Sequence, residues 1–554
     1  MLAVESGARP FAPRALRRGA HRPVDPASRG RLAARPTVAP DSILTTVAHP
    51  LDDALERLAS VVRGDAAQEP YAGAVIVGGA VRDALLGREA AEVDIAVPGE
   101  AGDAERFAAH AAAALGTRVV AIGRAPWPLY RVPLPDGGPG QVDIVPMQGT
   151  RDEDFARRDF TVNALAVPLA ALPAGGLRAL DRALVIDRHG GLDDLDCRVL
   201  RMIAPGAIAA DPIRALRAVR LATQLEFTIE AETGDAVRAA AARVASVAGE
   251  RVGAELMRLF AARAAARGVR LLEATGLLAV CFPGLAAGRD VEQWPVHRYR
   301  VLEHQLVASE WIDALIAPGP PERADQAAAW HGLWDAPWPA TRWGAPGEHL
   351  WRHRIALRIA TLLHDVGKPT TRTVEPDGRT RFIGHAEAGA AIARDDLARW
   401  RLPGALIDRV ALLIEQHLRP GQVQSPGEPA TAKAIHRFQR TLGDATADVC
   451  LLFLADSLAT VGADVLLPRW PAYVAHVRRI VTWRAADEGA VTSAARRLVD
   501  GRMVIAATGL APGPVIGRIL EALAEAAATG EVSTVEEALA LARQLAAADE
   551  GETG

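Results

Sequence analysis

A chain of 554 residues with 50% hydrophobic and 23% charged residues can form several folded domains, which excludes a disordered or fibrous protein. Its three cysteines lie far apart without a CxxC pair, which excludes a disulfide framework or structural zinc site, and no apolar run reaches the roughly 20 residues that cross a bilayer. The net charge of −4 gives no overall attraction for nucleic acid, so an RNA partner must be held by local arginine clusters.

The N-terminal segment 1–45 is rich in arginine, proline and alanine and shows no apolar periodicity. Such a segment cannot bury enough apolar surface to order itself, so we predict a disordered basic tail. Its scarcity of acidic residues leaves three interpretations, namely a transit peptide, a misassigned start and an RNA-contacting arm, of which the first fits least well. Because the apolar stretch of a secretory signal is missing, we expect a cytoplasmic protein.

Short apolar runs alternate with helical stretches between residues 74 and 150. The runs are AVIVGG, EVDIAV, TRVVAI, PLYRVPL and QVDIVPM, and the clearest helical stretch is GDAERFAAHAAAAL. This alternation predicts a mixed sheet with helices packed on it. After about residue 200 the strand signals end, and alanine-, leucine- and arginine-rich segments with helical spacing continue to the C-terminus. The predicted fold class is therefore α+β.

The first candidate binding element is VIVGGAVRDALLG, in which a strand runs into two glycines and then a helix. Unhindered backbone N–H groups at Gly78 and Gly79, the helix N-terminus and Arg82 one turn later can meet a triphosphate. The alternative is an ordinary tight turn, since paired glycines often form one. The residues that follow favour the phosphate interpretation.

Three acidic residues lie on the next strands. Glu92 and Asp94 are two residues apart in EVDIAV, so both side chains leave the same face of the sheet. Asp143 lies between apolar residues in QVDIVPM, where a carboxylate needs a partner or a metal. Each one alone fits a solvated strand end. Together, in this order, they can hold two Mg²⁺ ions that activate a 3′-hydroxyl and neutralise the leaving pyrophosphate, which predicts nucleotidyl transfer.

A polar cluster follows in RRDFTVNALAV, with Arg157, Arg158, Asp159 and Asn163. Arginines hold phosphates bidentately, and Asp159 can accept hydrogen bonds from ribose hydroxyls. A helix start capped by Asp159 explains the same residues equally well.

A second polar set is spread over the helical half, in HRYRVLEHQL, LLHDVGKPT, FIGHAEAGA, EQHLRP and FLADSLA. His364 and Asp365 are adjacent, and the other members can meet only in a folded helical domain: His304, His385, His417 and Asp456. Neutral imidazoles with carboxylates suit a divalent metal better than a purely structural role.

At this point a family resemblance emerges. VGGAVRDALLG, the ExD strand, RRDFTVNALA, DRHGGLDDLDCRVLR and DPIRALRAVRLATQLEF resemble, in order, the tRNA nucleotidyltransferase and poly(A) polymerase family, class II of the DNA polymerase β superfamily. The resemblance covers about residues 70–285 and implies a DNA polymerase β-like nucleotidyltransferase head followed by all-α regions. We predict a head over 46–200, a neck over 201–286, a body over 287–484 with a tryptophan-rich insert at about 317–349, and a helical tail over 485–554.

The resemblance also implies residue roles. It implies that Gly79 and Arg82 contact the triphosphate and that Glu92, Asp94 and Asp143 bind the metals. It also implies that Arg158 and Asp159 contact the sugar and phosphate, and that Asp211 and Arg214 recognise the incoming base. A carboxylate beside a guanidinium can match the edge of cytosine or adenine without a template. Arg217 and Arg220 follow at a spacing of three and would support the nucleotide or the tRNA acceptor end.

The chain departs from the family pattern at two positions. Glu92 stands where the family usually has Asp, and Ala210 where a Glu usually precedes the Asp-x-x-Arg pair, so addition of only CC or only A stays open. Later, ERVGAELMRLF resembles the last neck motif, with Arg251 and Glu255 on one helical face. A solvated, salt-bridged face is the alternative for that helix.

The ordered histidines and aspartates resemble the HD phosphohydrolase superfamily. This implies a metal set with Mg²⁺, Mn²⁺ or Ni²⁺, formed by His304, His364, Asp365 and Asp456, with His385 and His417 as possible ligands of a second ion. Lys368 closes the motif and is suited to meet a phosphate. An HD module beside this head implies phosphatase or 2′,3′-cyclic phosphodiesterase activity on tRNA ends, and the alternative is a vestigial domain that only packs against tRNA.

The predicted function is therefore template-independent addition of CCA, from CTP and ATP, to the 3′ end of tRNA, with Mg²⁺ at the head and no membrane partner. Three alternatives stay open: poly(A) addition to RNA, an HD phosphohydrolase with a regulatory nucleotide-binding head, and a non-catalytic RNA-binding protein. Within the helical half, GLAPGPVIGRILEALAEAAATG resembles the C-terminal segment found with such HD modules and would contact tRNA.

Overall fold

The computed structural model of the chain describes residues 50–64, 71–90, 92–123, 127–135, 140–293, 296–334, 351–423, 429–483 and 499–552. The predicted N-terminal tail 1–45 and the tryptophans Trp338 and Trp343 of the predicted insert lie outside these ranges.

A six-stranded mixed sheet forms the centre of the N-terminal half, which confirms the predicted fold class. Its strands are β1 (Val75–Val77), β2 (Glu92–Val97), β3 (Val120–Ile122), β4 (Leu129–Pro133), β5 (Gln141–Pro146) and β6 (Ala166–Pro168). The order across the sheet is β3-β4-β5-β2-β1-β6, and the central β2 and β5 run parallel. Val93, Ile95 and Val97 of β2 point into the main core, while Ala96 belongs to a second, smaller cluster on the opposite face.

Five helices accompany the sheet: α1 (Pro50–Arg63), α2 (Gly79–Leu85), α3 (Ala101–Leu115), α4 (Arg151–Ala156) and α5 (Gly191–Cys197). Helix α3 starts with a reciprocal capping box between Glu100 and Asp103 and ends at Gly116, whose φ of 69° lies in the left-handed region that glycine tolerates. The buried face of α3 carries Phe107 and several alanines into the main core.

Seven helices form the region that follows: α6 (Ala207–Ala210), α7 (Ile213–Leu225), α8 (Ala231–Ala240), α9 (Gly249–Ala261), α10 (Ala265–Ala274), α11 (Leu277–Cys281) and α12 (Pro283–Ala286). The prediction that strands end near residue 200 is wrong in detail. Strand β7 (Val199–Leu200), before α6, pairs in parallel with β8 (Thr228–Ile229), after α7. Further along, β9 (Thr373–Val374) pairs antiparallel with β10 (Thr380–Arg381). Pairs of two residues each are too short to leave a pattern in the sequence.

The next part of the chain is helical. Its elements are α13 (Val301–Leu315), α14 (Ala324–Trp334), a π-helical turn (Trp351–Ile355) leading into α15 (Ala356–Leu363), α16 (Lys368–Thr371), α17 (His385–Arg399), α18 (Gly404–Gln416), α19 (Arg419–Gln422), α20 (Ala432–Leu442), α21 (Thr446–Val461), α22 (Ala463–Leu466) and α23 (Trp470–Thr482). Short 3₁₀ turns join several elements, at Tyr71–Gly73, Thr161–Asn163, Leu169–Ala171, Gly176–Ala179, Arg182–Leu184, Ala241–Ser246, Gly443–Ala445 and Leu467–Arg469.

The predicted tryptophan-rich insert is partly a packed helix. Helix α14 covers residues 324–334, and its Trp330 and Trp334 indoles donate to the carbonyls of Ala317 and Leu315. The described part of the insert is therefore anchored to the end of α13. Proline and glycine around the tryptophans hid this helix from the sequence prediction.

Three helices end the chain: α24 (Gly501–Thr508), α25 (Pro514–Ala528) and α26 (Val535–Glu552). They pack around an apolar cluster of their own, which includes Val504, Ile516, Ile519 and Leu523. Across the described ranges no single helix is long and apolar enough to span a membrane; one pair, Ala432–Val461 with Ala463–Thr482, bent by 107°, passes by length and composition only.

Asp396 of α17 gives a pH dependence of stability that can be measured. Burial raises the pKa of Asp396 to about 6, and among the described residues its Oδ2 has no hydrogen-bond partner. A carboxyl group whose pKa is raised on folding stabilises the folded state at pH values below its unfolded pKa. This contribution is lost as the pH rises through 6. We expect Asp396→Asn to raise the free energy of unfolding at pH 7.5 by up to about 3 kcal/mol, and the gain to vanish near pH 4. Urea titrations across pH measure it, with Asp408→Asn at an exposed position of α18 as control.

Candidate active sites

The parallel pairing of β2 and β5 brings the predicted head carboxylates together. In the register Glu92 faces Gln141, and Asp94 faces Asp143, so the side chains of each pair leave the sheet side by side. Desolvation and the neighbouring carboxylates of Asp143 and Glu92 raise the pKa of Asp94 to about 6. Carboxylates that crowd in this way are relieved by a cation, so the donor set fits a divalent metal.

Arg131 of β4 was not found by sequence reasoning. Its Nε and Nη2 donate to Oδ1 and Oδ2 of Asp143 at 2.9 and 2.8 Å, in a bidentate pair. Gln141 donates to Glu92 at 2.9 Å, so two of the three carboxylates are oriented by neighbouring strand residues. An arginine in the run PLYRVPL carries no signal until the β4–β5 register places it opposite Asp143.

The glycine turn leads into α2 as predicted, and both the turn and Arg82 lie beside the carboxylates. Gly78 has a φ of 78°, and a Cβ there would lie 3.3 Å from Nη1 of Arg158 and 3.9 Å from Oδ2 of Asp94. A side chain at this position would therefore crowd the site. Arg82 donates to Asp83 and to Oδ1 of Asn163, which holds its guanidinium at the base of the turn.

Two buried carboxylates connect the head to the helices that follow. Asp159 accepts from Arg217 at 3.0 Å and from Asn163 at 2.9 Å. Glu255 of α9 accepts from Nε of Arg217 at 3.0 Å and also from Arg220. Although burial opposes it, Arg217 and Asn163 hold the pKa of Asp159 below its usual range. Glu255 is only 3% exposed, so the alternative of a solvated face is wrong for this residue.

The pair predicted to read the base is arranged differently from the expectation. The carboxylate of Asp211 accepts from Arg251 at 2.7 and 3.3 Å, whereas Arg214 donates to the backbone carbonyls of Ala207, Arg157 and Arg158. Asp211 and Arg214 thus have separate partners. Sequence spacing could not show this, because the partners lie 40 and 57 residues away.

A cleft of about 570 Å³ lies between the sheet and α7. Its lining includes these predicted residues: Gly79, Arg82, Glu92, Asp94, Asp159, Asn163, Arg217 and Arg220. It also includes Gln224 and Arg258, which the sequence did not single out. Asp143 lies behind it, where it is only 4% exposed, and Arg158 pairs with Asp154 at 3.1 Å.

The motif DRHGGLDDLDCRVLR has a structural task. The carboxylate of Asp187 accepts from the backbone N–H groups of His189, Gly191 and Leu192 at 2.9 to 3.1 Å, which caps the start of α5. A Cβ on Gly191 would lie 2.4 Å from the carbonyl oxygen of Thr161, so only glycine fits. The motif therefore fastens α5 against the 3₁₀ turn that carries Asn163.

The second candidate site gathers side chains from three helices, α13, α17 and α21, and from the residues that directly follow α15 and α18. Nε2 of His304 lies 3.1 Å from Nε2 of His364, 3.0 Å from Asp456 and 3.4 Å from Asp365. The other oxygen of Asp365 lies 3.4 Å from His385 and 3.8 Å from His417. All six predicted residues therefore meet in two possible ligand groups, His304 with His364 and Asp456, and His385 with His417 and Asp365, whose second oxygen also lies near His304.

The orientation of the imidazoles fits a metal. Nδ1 of His364, His385 and His417 lies 2.8, 2.7 and 2.6 Å from a backbone carbonyl three residues earlier, so each Nδ1 donates and each Nε2 presents a lone pair to the centre. Burial lowers the pKa of His417 to about 4, which keeps it neutral. Burial also opposes protonation of His364, but Asp365 and Asp456 outweigh it and raise its pKa to about 10, so a cation is favoured between them.

A cleft of about 620 Å³ opens onto this second site. Nζ of Lys368 lies 2.5 Å from Asp365 and donates to Gln293 at 2.6 Å, and Nε2 of His297 lies 3.3 Å from it. Gln293 and His297 were missed by sequence reasoning, because only the fold brings the loop before α13 to this centre. Arg381 and Arg419 add positive charge to the lining.

Known families match three successive parts of the chain. The Poly A polymerase head domain matches residues 74–122 and 137–201, the Probable RNA and SrmB- binding site of polymerase A matches 226–288, and the HD domain matches 346–461. A carboxylate-bearing mixed sheet, a helical neck and an HD region in this order define a nucleotidyltransferase.

Curated relatives identify the family. An A-adding tRNA nucleotidyltransferase of Deinococcus radiodurans is 38% identical over 86% of this chain and 96% of its own. A CC-adding tRNA nucleotidyltransferase of Thermus thermophilus is 36% identical over 84% of this chain and 92% of its own. The chain belongs to the tRNA nucleotidyltransferase and poly(A) polymerase family, which confirms the resemblance read from its motifs.

Solved structures show the same fold. The Bacillus stearothermophilus CCA-adding enzyme in complex with CTP aligns with a TM-score of 0.56 at 23% identity, over 91% of this chain and 99% of that one. The Thermotoga maritima CCA-adding enzyme complexed with tRNA aligns with a TM-score of 0.51 at 21% identity, over 90% and 94%.

The buried Glu255 gives a stability test of the neck. We expect Glu255→Gln to lower the free energy of unfolding by about 3 kcal/mol, because Arg220 would remain buried without a countercharge. Urea unfolding followed by circular dichroism measures the loss. Glu250→Gln on the same helix is the control, since its side chain is 72% exposed and lies 3.9 Å from Arg401, and we expect a change below about 0.5 kcal/mol. Equal losses in the two variants would contradict the buried network.

Proposed function

We propose that the chain is a cytoplasmic enzyme that adds nucleotides from CTP and ATP to the 3′ end of tRNA. The observation that carries the proposal is the β2–β5 register, which places Asp94 beside Asp143 at a cleft lined by arginines. The names of the curated relatives and the tRNA and CTP complexes of the fold neighbours support the same substrates for this chain.

The head residues would divide the work as follows. Glu92, Asp94 and Asp143 would hold Mg²⁺, which supplies activation of the 3′-hydroxyl and charge neutralisation at the phosphates. Gly78, Gly79 and Arg82 would receive the triphosphate at the start of α2. Arg131 keeps Asp143 in position, and Asp159 and Asn163 would accept from and donate to the ribose.

The base would be selected without a template by Asp211 and Arg214. Because Asp211 pairs with Arg251 and Arg214 with backbone carbonyls, an incoming base would meet groups whose orientation is already held, Asp211 by the neck and Arg214 by carbonyls of both head and neck. Arg217 and Arg220 would act through Asp159 and Glu255, as supports of the cleft rather than as free cations.

The extent of addition is the finer question. Synthesis of the whole CCA end is the expectation from the motifs, and a Multifunctional CCA protein of Cupriavidus necator is 29% identical over 66% of this chain. Ala210 and the names of the A-adding and CC-adding relatives, which match over most of their length, favour addition of one part of the end.

The deciding experiment supplies tRNAs that end before CCA, after C and after CC. Each is incubated with Mg²⁺ and with CTP, ATP or both, and the 3′ ends are sequenced. An A-adding enzyme extends only the tRNA that ends after CC, a CC-adding enzyme extends the tRNAs that end before CCA and after C, and a complete adder extends all three to CCA. Extension of an unstructured RNA as well as tRNA would support poly(A) addition instead, and absence of extension on every RNA would refute the proposal.

Asp94→Asn tests the head assignment directly. We expect nucleotide incorporation to fall by at least about 1,000-fold, because one carboxylate of the metal pair is lost while the fold keeps an isosteric side chain. Single-turnover incorporation of labelled ATP and CTP measures the effect. Asp53→Asn, exposed on α1, is the matched control and should incorporate at the wild-type rate.

We further propose that the HD site binds a divalent metal and hydrolyses phosphate esters at damaged tRNA ends. The support is the shared Asp365 and the inward Nε2 atoms, with Lys368 placed to meet a phosphate. A domain that only packs against tRNA would not need this ligand arrangement.

His364→Ala separates the two sites. We expect it to lose bound Mn²⁺ or Ni²⁺, measured by elemental analysis after gel filtration, together with hydrolysis of a 2′,3′-cyclic phosphate, while nucleotide incorporation persists. His331→Ala, on the exposed side of α14, should keep both metal and activities. Full metal content in His364→Ala would remove the support for the HD assignment.

A further inference from the structure

The last three helices meet the rest of the chain through charge. Helix α25 turns Ile516, Ile519 and Leu523 into the C-terminal cluster, so its apolar face is used within that cluster. Helix α20 does the same on the other side, burying Ile435 and Phe438 in the main core. The faces that these two helices present to each other are therefore polar.

Three cations of α20, which we call the basic row, occupy that face: Lys433, Arg437 and Arg440. Positions separated by four and three residues lie on one side of a helix, so the row is about 10 Å long. Opposite it stand three carboxylates: Glu521 and Glu525, one turn apart on α25, and Glu531, just beyond its end.

Each cation of the basic row has one acidic partner. Arg440 lies 2.8 Å from Glu521, Arg437 donates to Glu525 at 2.8 Å, and Lys433 lies 3.8 Å from Glu531. These three pairs link α20 to the C-terminal helices. Together they form the charged part of the junction.

The pairs are of the kind that solvent weakens. The side chains of Arg440 and Glu521 are 54% and 61% exposed, and those of Lys433 and Glu531 are 40% and 50% exposed. Such pairs contribute little and are screened at physiological salt, where the Debye length is about 8 Å. Glu525, 8% exposed, is the exception, and its partner Arg437 is itself 58% exposed.

We propose that the basic row binds the phosphate backbone of RNA, and that α25 of the same chain covers it until RNA displaces the acidic side chains. The inference rests on the proposed function for the identity of the polyanion. Two of the three cations are arginines, whose planar groups bind phosphate bidentately. A polyanion that releases counterions competes effectively for such a row with three carboxylates, of which Glu521 and Glu531 are at least half exposed.

This arrangement has a use in a chain of net charge −4. A permanently open basic row would bind any RNA, whereas a covered one opens only to an RNA already held elsewhere on the protein. The covering helix thus lowers non-specific binding without removing the surface.

The test compares two triple variants that break the same three ion pairs from opposite sides. One is Glu521→Gln, Glu525→Gln, Glu531→Gln, and the other is Lys433→Gln, Arg437→Gln, Arg440→Gln. Fluorescence anisotropy measures binding of a tRNA lacking CCA, from 50 to about 300 mM salt. Circular dichroism and thermal unfolding confirm that both variants are folded.

The expected effects have opposite signs. Removing the acidic partners should tighten RNA binding about fivefold at 150 mM salt, because the competitor is gone. Removing the basic row should weaken binding about tenfold and lower the slope of log K against log salt by about 2, because three phosphate contacts are lost. If the substitutions act only by undocking α25, both triple variants change the RNA affinity in the same direction, and that result overturns the proposal. An unchanged RNA affinity in both variants also overturns it.

The single variants Arg440→Gln and Glu521→Gln are a safeguard against misfolding, because each changes one side chain that is more than half exposed. We expect Arg440→Gln to weaken RNA binding and Glu521→Gln to tighten it. Failure of the proposed nucleotide addition and failure of the basic-row proposal give different results. If the wild-type protein extends no tRNA and the opposite shifts persist, the basic row stands and nucleotide addition falls. If tRNA is extended and the shifts are absent, only the basic row falls.

Discussion

The guanidinium of Arg217 is the interaction on which the rest of the head site depends. It lies between Asp159, on the turn that follows α4, and Glu255 of α9, so one side chain joins three segments that are far apart in the chain. Neither buried carboxylate would tolerate its position without a cation, and Arg217, whose side chain is 33% exposed, serves both. Because the floor of the cleft is built from this mutual dependence, the glycine turn and the helices of the neck hold one fixed relation to each other.

The buried carboxylates of the HD region also depend on neighbouring groups, but these groups are histidines instead of arginines. There the histidines are oriented by backbone carbonyls, and the two carboxylates converge on nitrogen lone pairs instead of guanidinium groups. In the head, Glu92 and Asp94, which are not paired with an arginine, face the cleft. In the HD region, the histidine Nε2 atoms face the centre of the site. Both places therefore concentrate electron pairs where a cation can enter, although Arg131 in the head and Lys368 in the HD region each neutralise part of the carboxylate set.

Sequence reasoning reached the elements whose signals are local. The period of two in EVDIAV placed Glu92 and Asp94 on one face, and the buried setting of Asp143 in an apolar strand indicated a partner or a metal. The partner itself, Arg131, depends on the β4–β5 register, which no single strand encodes. Arg251 escaped as the partner of Asp211 for the same reason, since a contact across 40 residues requires the packing of α9 against α7. Helix α14 is not evident from the sequence, because proline and glycine flank it.

The register of β2 against β5 also limits how this site can change through evolution. Val142 and Ile144 flank Asp143 and belong to the apolar core on the opposite face of the sheet. A substitution in β5 alters one side chain, but an insertion or deletion of a single residue upstream within the strand would turn isoleucine or valine toward the carboxylates and drive an aspartate into the core. Variation at this carboxylate pair is thus confined to exchanges of residues, while changes of length must fall in the connections outside the paired strands.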